Sequence, residues 1–222
     1  MYEIFGITDV GCVREHNEDG FLIQNVHRNQ GELYVLDVEE SWIAAVADGM
    51  GGQEAGEVAS YLALQNIAKL NVPVTEEEIR KQIVDINDEI RSYGENYLMT
   101  KGLGTTLTGL ICNNHEMTLF HIGDSRVYRF RAGFLKQKSQ DHSLVEEMFQ
   151  NGNIAREEKR THPDRHILLR SLGSGNPRGE ESVKQIKSLL DLEDTYLICS
   201  DGLSDCLSED DIEGVLNKNS SL

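Results

Sequence analysis

The stretch Ala45-Val46-Ala47-Asp48-Gly49-Met50-Gly51-Gly52 constrains this chain more than any other, because an apolar run there delivers one carboxylate to a cluster of glycines. Trp42 to Ala47 reads as a short buried strand, and the residues after Asp48 as a turn that brings backbone close to another group. Asp-Gly is also a favoured hairpin turn, but a hairpin needs a second alternating strand. The next segment, Glu54 to Leu70, instead has apolar residues at helical spacing, so strand, turn and helix are expected. The pattern recurs at Leu119-Phe120-His121-Ile122-Gly123-Asp124 and at Tyr196-Leu197-Ile198-Cys199-Ser200-Asp201-Gly202, with Asp205 a short step beyond. Three strand ends thus present four carboxylates. An ionised carboxylate at the edge of an apolar core is costly unless paired or bound to a metal, and Arg126 is the basic residue that accompanies these segments. Oxygen-ligated divalent cations of the magnesium or manganese type are the natural counter-charge.

With 222 residues and no Pro/Ser/Gly-rich linker, residues 1–222 are expected to form a single domain. A formal net charge of -17 without a basic block argues against a nucleic-acid or anionic-membrane surface. Met1-Tyr2-Glu3-Ile4-Phe5 has neither a basic n-region nor a long apolar run, so no signal peptide or membrane anchor is expected and the anticipated compartment is the cytoplasm. Cys12, Cys112, Cys199 and Cys206 are scattered without a C-x-x-C pair, which fits reduced packing thiols.

Along the chain, Tyr2 to Val10 alternates as a strand, a charged loop holds Arg14, Glu18 and Asp19, and Phe21-Leu22-Ile23 resumes strand character. Such a loop is ordinarily solvated charge, yet Arg is the side chain best shaped to hold phosphate bidentately and Glu18 offers an oxygen to a nearby cation. A second helix is expected from the capping-box spelling Thr75-Glu76-Glu77-Glu78, with Ile79, Ile83, Ile86, Ile90, Tyr93 and Tyr97 forming its apolar seam. Gly102-Leu103-Gly104 lacks the context of a nucleotide loop. Thr106–Cys112, Glu116–Ile122, Ser125–Arg131 and Phe134–Ser139 read as an antiparallel meander, and Ser143 with Glu146 opens a further helix. Residues 151–165 are polar and rich in turn formers, suggesting a mobile surface flap that touches substrate. Strands at Val183–Leu190 and Thr195–Cys199 and a helix from Ser208 to Lys218 complete the set of expected elements.

Taken together, Thr8-Asp9-x-Gly11-x-x-Arg14-x-x-Asn17-Glu18-Asp19, Asp48-Gly49-Met50-Gly51-Gly52 with Gly56-Glu57-x-Ala59-Ser60, Gly104-Thr105-Thr106, Gly123-Asp124-Ser125-Arg126-x-Tyr128, Asp141-His142-Ser143 and Cys199-Ser200-Asp201-Gly202-Leu203-Ser204-Asp205 resemble the motifs of the metal-dependent protein serine/threonine phosphatases, type 2C, in their bacterial form. The resemblance covers roughly Thr8 to Ile212 and implies an α+β fold of two packed antiparallel β-sheets flanked by helices, an αββα sandwich. It implies hydrolysis of phosphoserine and phosphothreonine on proteins by a water activated between two Mn2+ or Mg2+ ions, with a third ion in bacterial members. Asp48 resembles the carboxylate bridging two ions, Gly49 the residue whose carbonyl helps hold one, and Asp201 a ligand of the second. Glu18 resembles an acid reaching metal through water, Arg14 the clamp on substrate phosphate, and Asp124 with Asp205 the pair serving the third ion. Asp19 belongs to the motif with a less defined role.

Met50 replaces the His that animal members carry as general acid, leaving a metal-held water as proton donor. Family members continue to a Gly-x-Asp-Asn segment whose first Asp binds the second metal, and that segment, with a closing helix and strand, is expected to be missing here. The implied partners are phosphoproteins made by a serine/threonine kinase, in signal transduction. The competing expectation is a catalytically impaired phosphatase-like module that binds a partner through the same fold. A serine acyl-transfer hydrolase is disfavoured because Ser125, Ser143 and Ser200 lack a G-x-S-x-G setting.

Overall fold

The computed structural model describes residues 1–51, 55–96, 102–173, 183–186 and 194–219. It opens with strands β1 (Tyr2–Thr8), β2 (Asp19–Ile23), β3 (Val26–Arg28), β4 (Gly31–Val38) and β5 (Ser41–Met50), followed by helices α1 (Ala55–Ile67) and α2 (Glu76–Asn96). Strands β6 (Gly104–Thr105), β7 (Leu107–Asn113), β8 (Glu116–Ile122), β9 (Arg126–Arg131) and β10 (Phe134–Gln137) precede helix α3 (Leu144–Gln150). A 3-10 turn at Glu157–Arg160, strands β11 (Val183–Ile186) and β12 (Thr195–Cys199), the short helix α4 (Asp201–Ser204) and helix α5 (Glu209–Asn219) come after it. Gly52, Glu54, Tyr97 and the anticipated strand beyond Ile186 lie outside the described residues.

The larger sheet runs β11-β8-β7-β5-β2-β3, with β6 paired to the end of β5; a second layer holds β10-β9-β12 and β1-β4, and every pairing is antiparallel. Period-two alternation sorts the two faces of β5. Ile43, Ala45 and Ala47 join the core beneath the helices, while Trp42 and Ala44 face the core between the sheets with Leu110, Met117 and Val127. Helix α2 packs through the expected seam: Ile79, Ile83, Ile86 and Ile90 are all essentially buried, contributing roughly 1.5–3 kcal/mol apiece. Thr75 and Glu78 close the capping box reciprocally, Glu78 accepting from the Thr75 amide at 2.8 Å and Thr75 from the Glu78 amide at 3.3 Å.

Helix α1 packs closer still, because the side chains it turns to the sheet are small. Ala59 and Ala63 are fully buried, and a methyl group built on Gly49 would lie 2.0 Å from the Gly56 carbonyl oxygen.

Two expectations change. Strand β5 does not stop before Asp48 but runs through Gly49 and Met50, because Gly104 and Thr105 supply antiparallel partners for that extension. The four central strands do not form one meander: β7 pairs β8 and β9 pairs β10, but β9 also pairs β12, so the chain changes sheets at Gly123–Ser125. The crossing needs a backbone turn that only glycine enters freely, and Gly123 sits at φ +111° with Thr106 Cγ2 2.5 Å from where a Cβ would be. Strands β3 and β4 arise in a stretch for which the sequence raised no expectation, β3 pairing with β2 and β4 with β1; Leu33 and Val35 are half-buried on one face of β4, while Tyr34 and Leu36 are exposed on the other.

Candidate active site

The carboxylates gather at one end of the sandwich. Asp19 on β2 stands directly opposite Asp48 on β5 in the antiparallel register, Asp124 follows β8, and Asp201 opens α4 just after β12. Asp48 is held by its backbone. Its amide donates to Thr106 Oγ1 at 2.9 Å, and its carbonyl accepts from the Thr106 amide and from Thr105 Oγ1, each at 2.9 Å. Thr106 Oγ1 also meets Ser125 Oγ at 2.8 Å, so one buried hydroxyl pair ties the Asp48 strand to the residue after Asp124.

The Asp48 carboxyl faces those of Asp19 and Asp201. Burial, then the neighbouring charges of Asp19, Asp201 and Asp124, push Asp48 up to about 10. Asp124 is raised to about 7, chiefly by burial and then by Asp201 and Asp141, and Asp19 is raised by burial despite accepting a 2.7 Å bond from Ser200 Oγ. Arg126 relieves Asp124 only in part. Its guanidinium is locked onto Asp141, with Nη2 to Oδ2 at 2.6 Å and Nε to both oxygens near 3 Å.

Glu18, half-buried, takes the Gly56 amide in the first turn of α1, and burial raises its pKa. Its carbonyl accepts from the Gly49 amide at 3.1 Å and from Ser60 Oγ at 2.7 Å, which explains the Gly49, Gly56 and Ser60 spacing. Arg14 is exposed, with no hydrogen bond or ion pair among the described residues, and its charge acts on Glu18 and Asp19.

Asp205 lies one helical turn beyond Asp201, its amide donating to the Asp201 carbonyl at 2.8 Å. Asp124, Asp201 and Asp205 line one cavity of about 570 Å³ whose far wall is the segment around Arg156, Arg160, Arg165 and His166. That segment is tethered: Arg156 pairs with Glu209 at 2.7 Å, Lys159 with Glu146, and Arg160 donates to the Asp205 carbonyl at 3.0 Å.

All seven residues singled out in the sequence therefore reach this end of the molecule, Arg14, Glu18 and Gly49 on the α1 side and Asp124 and Asp205 on the cavity side. Two participants were less legible. Asp19 declares itself only through its register with Asp48, and His166, whose ligating nitrogen clusters within 4.8 Å of the carboxylate oxygens of Asp201 and Asp205, stands alone in a polar stretch. An oxygen-rich cluster of half-buried carboxylates, with Asp19, Asp48 and Asp124 pushed toward protonation and the nearest guanidinium bound to Asp141, fits hard divalent cations. With an exposed arginine at its rim, the sandwich defines a metal-dependent hydrolase of phosphate esters.

The known proteins agree. The family model described as Protein phosphatase 2C matches residues 15–219. A serine/threonine phosphatase, Stp, of Listeria welshimeri is 36% identical over 223 residues, spanning 97% of this chain and 83% of that protein. Among solved structures, the serine/threonine phosphatase of S. agalactiae superposes with a TM-score of 0.79 at 29% identity, covering 100% of this chain and 88% of that one. The catalytic domain of PstP, solved in complex with 2 manganese ions, gives 0.74 at 30% identity, covering 97% and 84%. The chain belongs to the protein phosphatase 2C family and is a metal-dependent protein serine/threonine phosphatase.

Proposed function

We propose that Asp48, Asp201 and the Gly49 carbonyl would hold a pair of Mn2+ or Mg2+ ions. Glu18 supports the pair through water, and Asp124 with Asp205 serves a third ion. Asp19, opposite Asp48 and accepting from Ser200 Oγ, adds to the negative field beside Asp48. The observation that carries this reading is the convergence of Asp19, Asp48, Asp124 and Asp201, whose mutual repulsion and burial outweigh the charges of Arg14 and Arg126 nearby. When bound, such ions lower the pKa of a water and neutralise charge on the phosphate.

The protein's own groups do the rest. Arg14, exposed and uncommitted among the described residues, binds the phosphate of a phosphoserine or phosphothreonine and turns it toward the carboxylate cluster. No side chain acts as nucleophile: Ser125 is buried against Thr106, and burial pushes the Cys199 thiol up to about 12, so it stays protonated. Met50 has no proton to give, so the leaving serine or threonine oxygen would take its proton from a water held in the site. Phosphoproteins made by serine/threonine kinases in the cytoplasm are the substrates this reading implies. No helix among the described residues is long and apolar enough to cross a membrane.

The test is hydrolysis of a phosphothreonine peptide with manganese and with EDTA. Turnover that requires manganese and vanishes in Asp48→Asn is expected; turnover surviving in Asp48→Asn, or persisting in EDTA, refutes the assignment.

A further inference from the structure

Asp124 sits on the turn by which the chain changes sheets. Gly123 has no side chain, and its φ of +111° lies where residues with a Cβ are strained. The turn is held from outside. His142 Nδ1 accepts the Gly123 amide proton at 3.2 Å, while the His142 amide donates to the Gly123 carbonyl at 2.8 Å. The His142 carbonyl in turn accepts from the Leu169 amide at 2.8 Å, fastening the loop to the segment after the cavity wall.

Behind His142 lies His121, with ring centroids 4.7 Å apart. His121 is 5% exposed, and burial lowers its pKa to about 4, so it is neutral. Its tautomer is set by its partners. Nε2 lies 2.9 Å from the Gln140 carbonyl, which can only accept, so Nε2 carries the proton and Nδ1 takes the Thr108 hydroxyl proton at 2.8 Å. His121 thereby pins Gln140, Arg126 pins Asp141, and His142 at the end of that pinned run reaches Gly123.

We propose that His142 is a positioning residue for Asp124: its two-point grip on Gly123 fixes the glycine turn that aims the Asp124 carboxylate at Asp201. His142 touches neither substrate nor cation; it acts by keeping Asp124 where a cation shared with Asp201 or Asp205 needs it. This inference rests on the cation reading of Asp124, but the brace itself does not. Thr106 and Ser125 support the same turn from below, so loss of His142 loosens the turn rather than unfolding it.

The experiment compares His142→Ala, His142→Asn and Asp124→Ala with the unmodified protein. Asn is chosen because its Oδ1 can occupy the place of the imidazole Nδ1 and accept the Gly123 proton. Hydrogen exchange of the Gly123 amide, followed by NMR in metal-free protein, and manganese binding by calorimetry are measured. In His142→Ala the Gly123 amide should exchange about threefold to tenfold faster, the equivalent of one lost hydrogen bond, and the weakest manganese equivalent should lose affinity by a similar factor. His142→Asn should restore most of both. The proposal is overturned if His142→Ala leaves Gly123 exchange and manganese binding unchanged. It is equally overturned if His142→Asn fails to restore either while melting like the unmodified protein. If Asp124→Ala itself leaves manganese binding intact while His142→Ala exposes the Gly123 amide, the brace stands and the cation reading of Asp124 falls.

Discussion

Replacing Asp48 by Asn should make the metal-free protein more stable while destroying its activity. In the unfolded chain Asp48 titrates near 3.8 and is ionised at pH 7; in the fold, burial and the charges of Asp19, Asp201 and Asp124 raise it to about 10. Folding at pH 7 without metal therefore requires taking up a proton against a gap of about three pH units, an upper bound of about 4 kcal/mol at ~1.36 kcal/mol per unit. Asp48 and Asp19 stand opposite each other and lose their protons as a pair, so coupling, relaxation and solvent reduce the part recovered by one substitution to about 1–2 kcal/mol. Asn preserves the shape without the charge. For a chain of this size that gain corresponds to a Tm increase of roughly 2–8 °C. Manganese should reverse the order: at a hundredfold excess over Kd it adds about 2.7 kcal/mol to a protein that binds it, and nothing to one that does not. The assay is thermal melting of both proteins at pH 7, in EDTA and in manganese. A variant less stable than the parent in EDTA, or one stabilised equally by manganese, would refute the reasoning.

The same charges set the pH dependence of the metal-free protein. Asp124 and Asp48 have folded pKa values raised to about 7 and about 10 from 3.8, so the stability they contribute is full below about pH 4 and lost as pH rises through those values. Melting in EDTA should accordingly fall between pH 5 and pH 8, and added manganese should flatten the slope; a Tm that rises over that interval without metal contradicts the cluster's electrostatics. At the rim, Arg14→Ala should raise KM for a phosphopeptide about tenfold or more while manganese affinity stays level, as expected for one lost charge-assisted contact to phosphate. Kinetics paired with calorimetry decide it, and collapse of manganese binding with KM unchanged would make Arg14 a structural residue.

Much of this molecule is written in local pattern. The three apolar runs ending in Asp48, Asp124 and Asp201 are visible from alternation and from where hydrophobicity stops; the isoleucine seam of α2 and the caps at Thr75 and Ser143 are visible from helical spacing. The Gly49, Gly56 and Ala59 series also announces a close approach, since small residues at fixed offsets have little other use.

What the sequence could not supply is whatever depends on which strand lies beside which. The extension of β5 through Gly49 and Met50 depends on Gly104 and Thr105, more than fifty residues away, and local pattern contains no trace of that partner. The change of sheet at Gly123 is likewise a matter of pairing energy: β9 finds its hydrogen bonds with β10 and β12, and consecutive strands of similar composition look the same whether or not they pair. Above all, Asp19 reads as one more charge in a polar loop until the register sets it opposite Asp48. Only then do burial and mutual repulsion, which depend on distances in space and not on spacing in the chain, turn separate acids into one cluster that requires a cation.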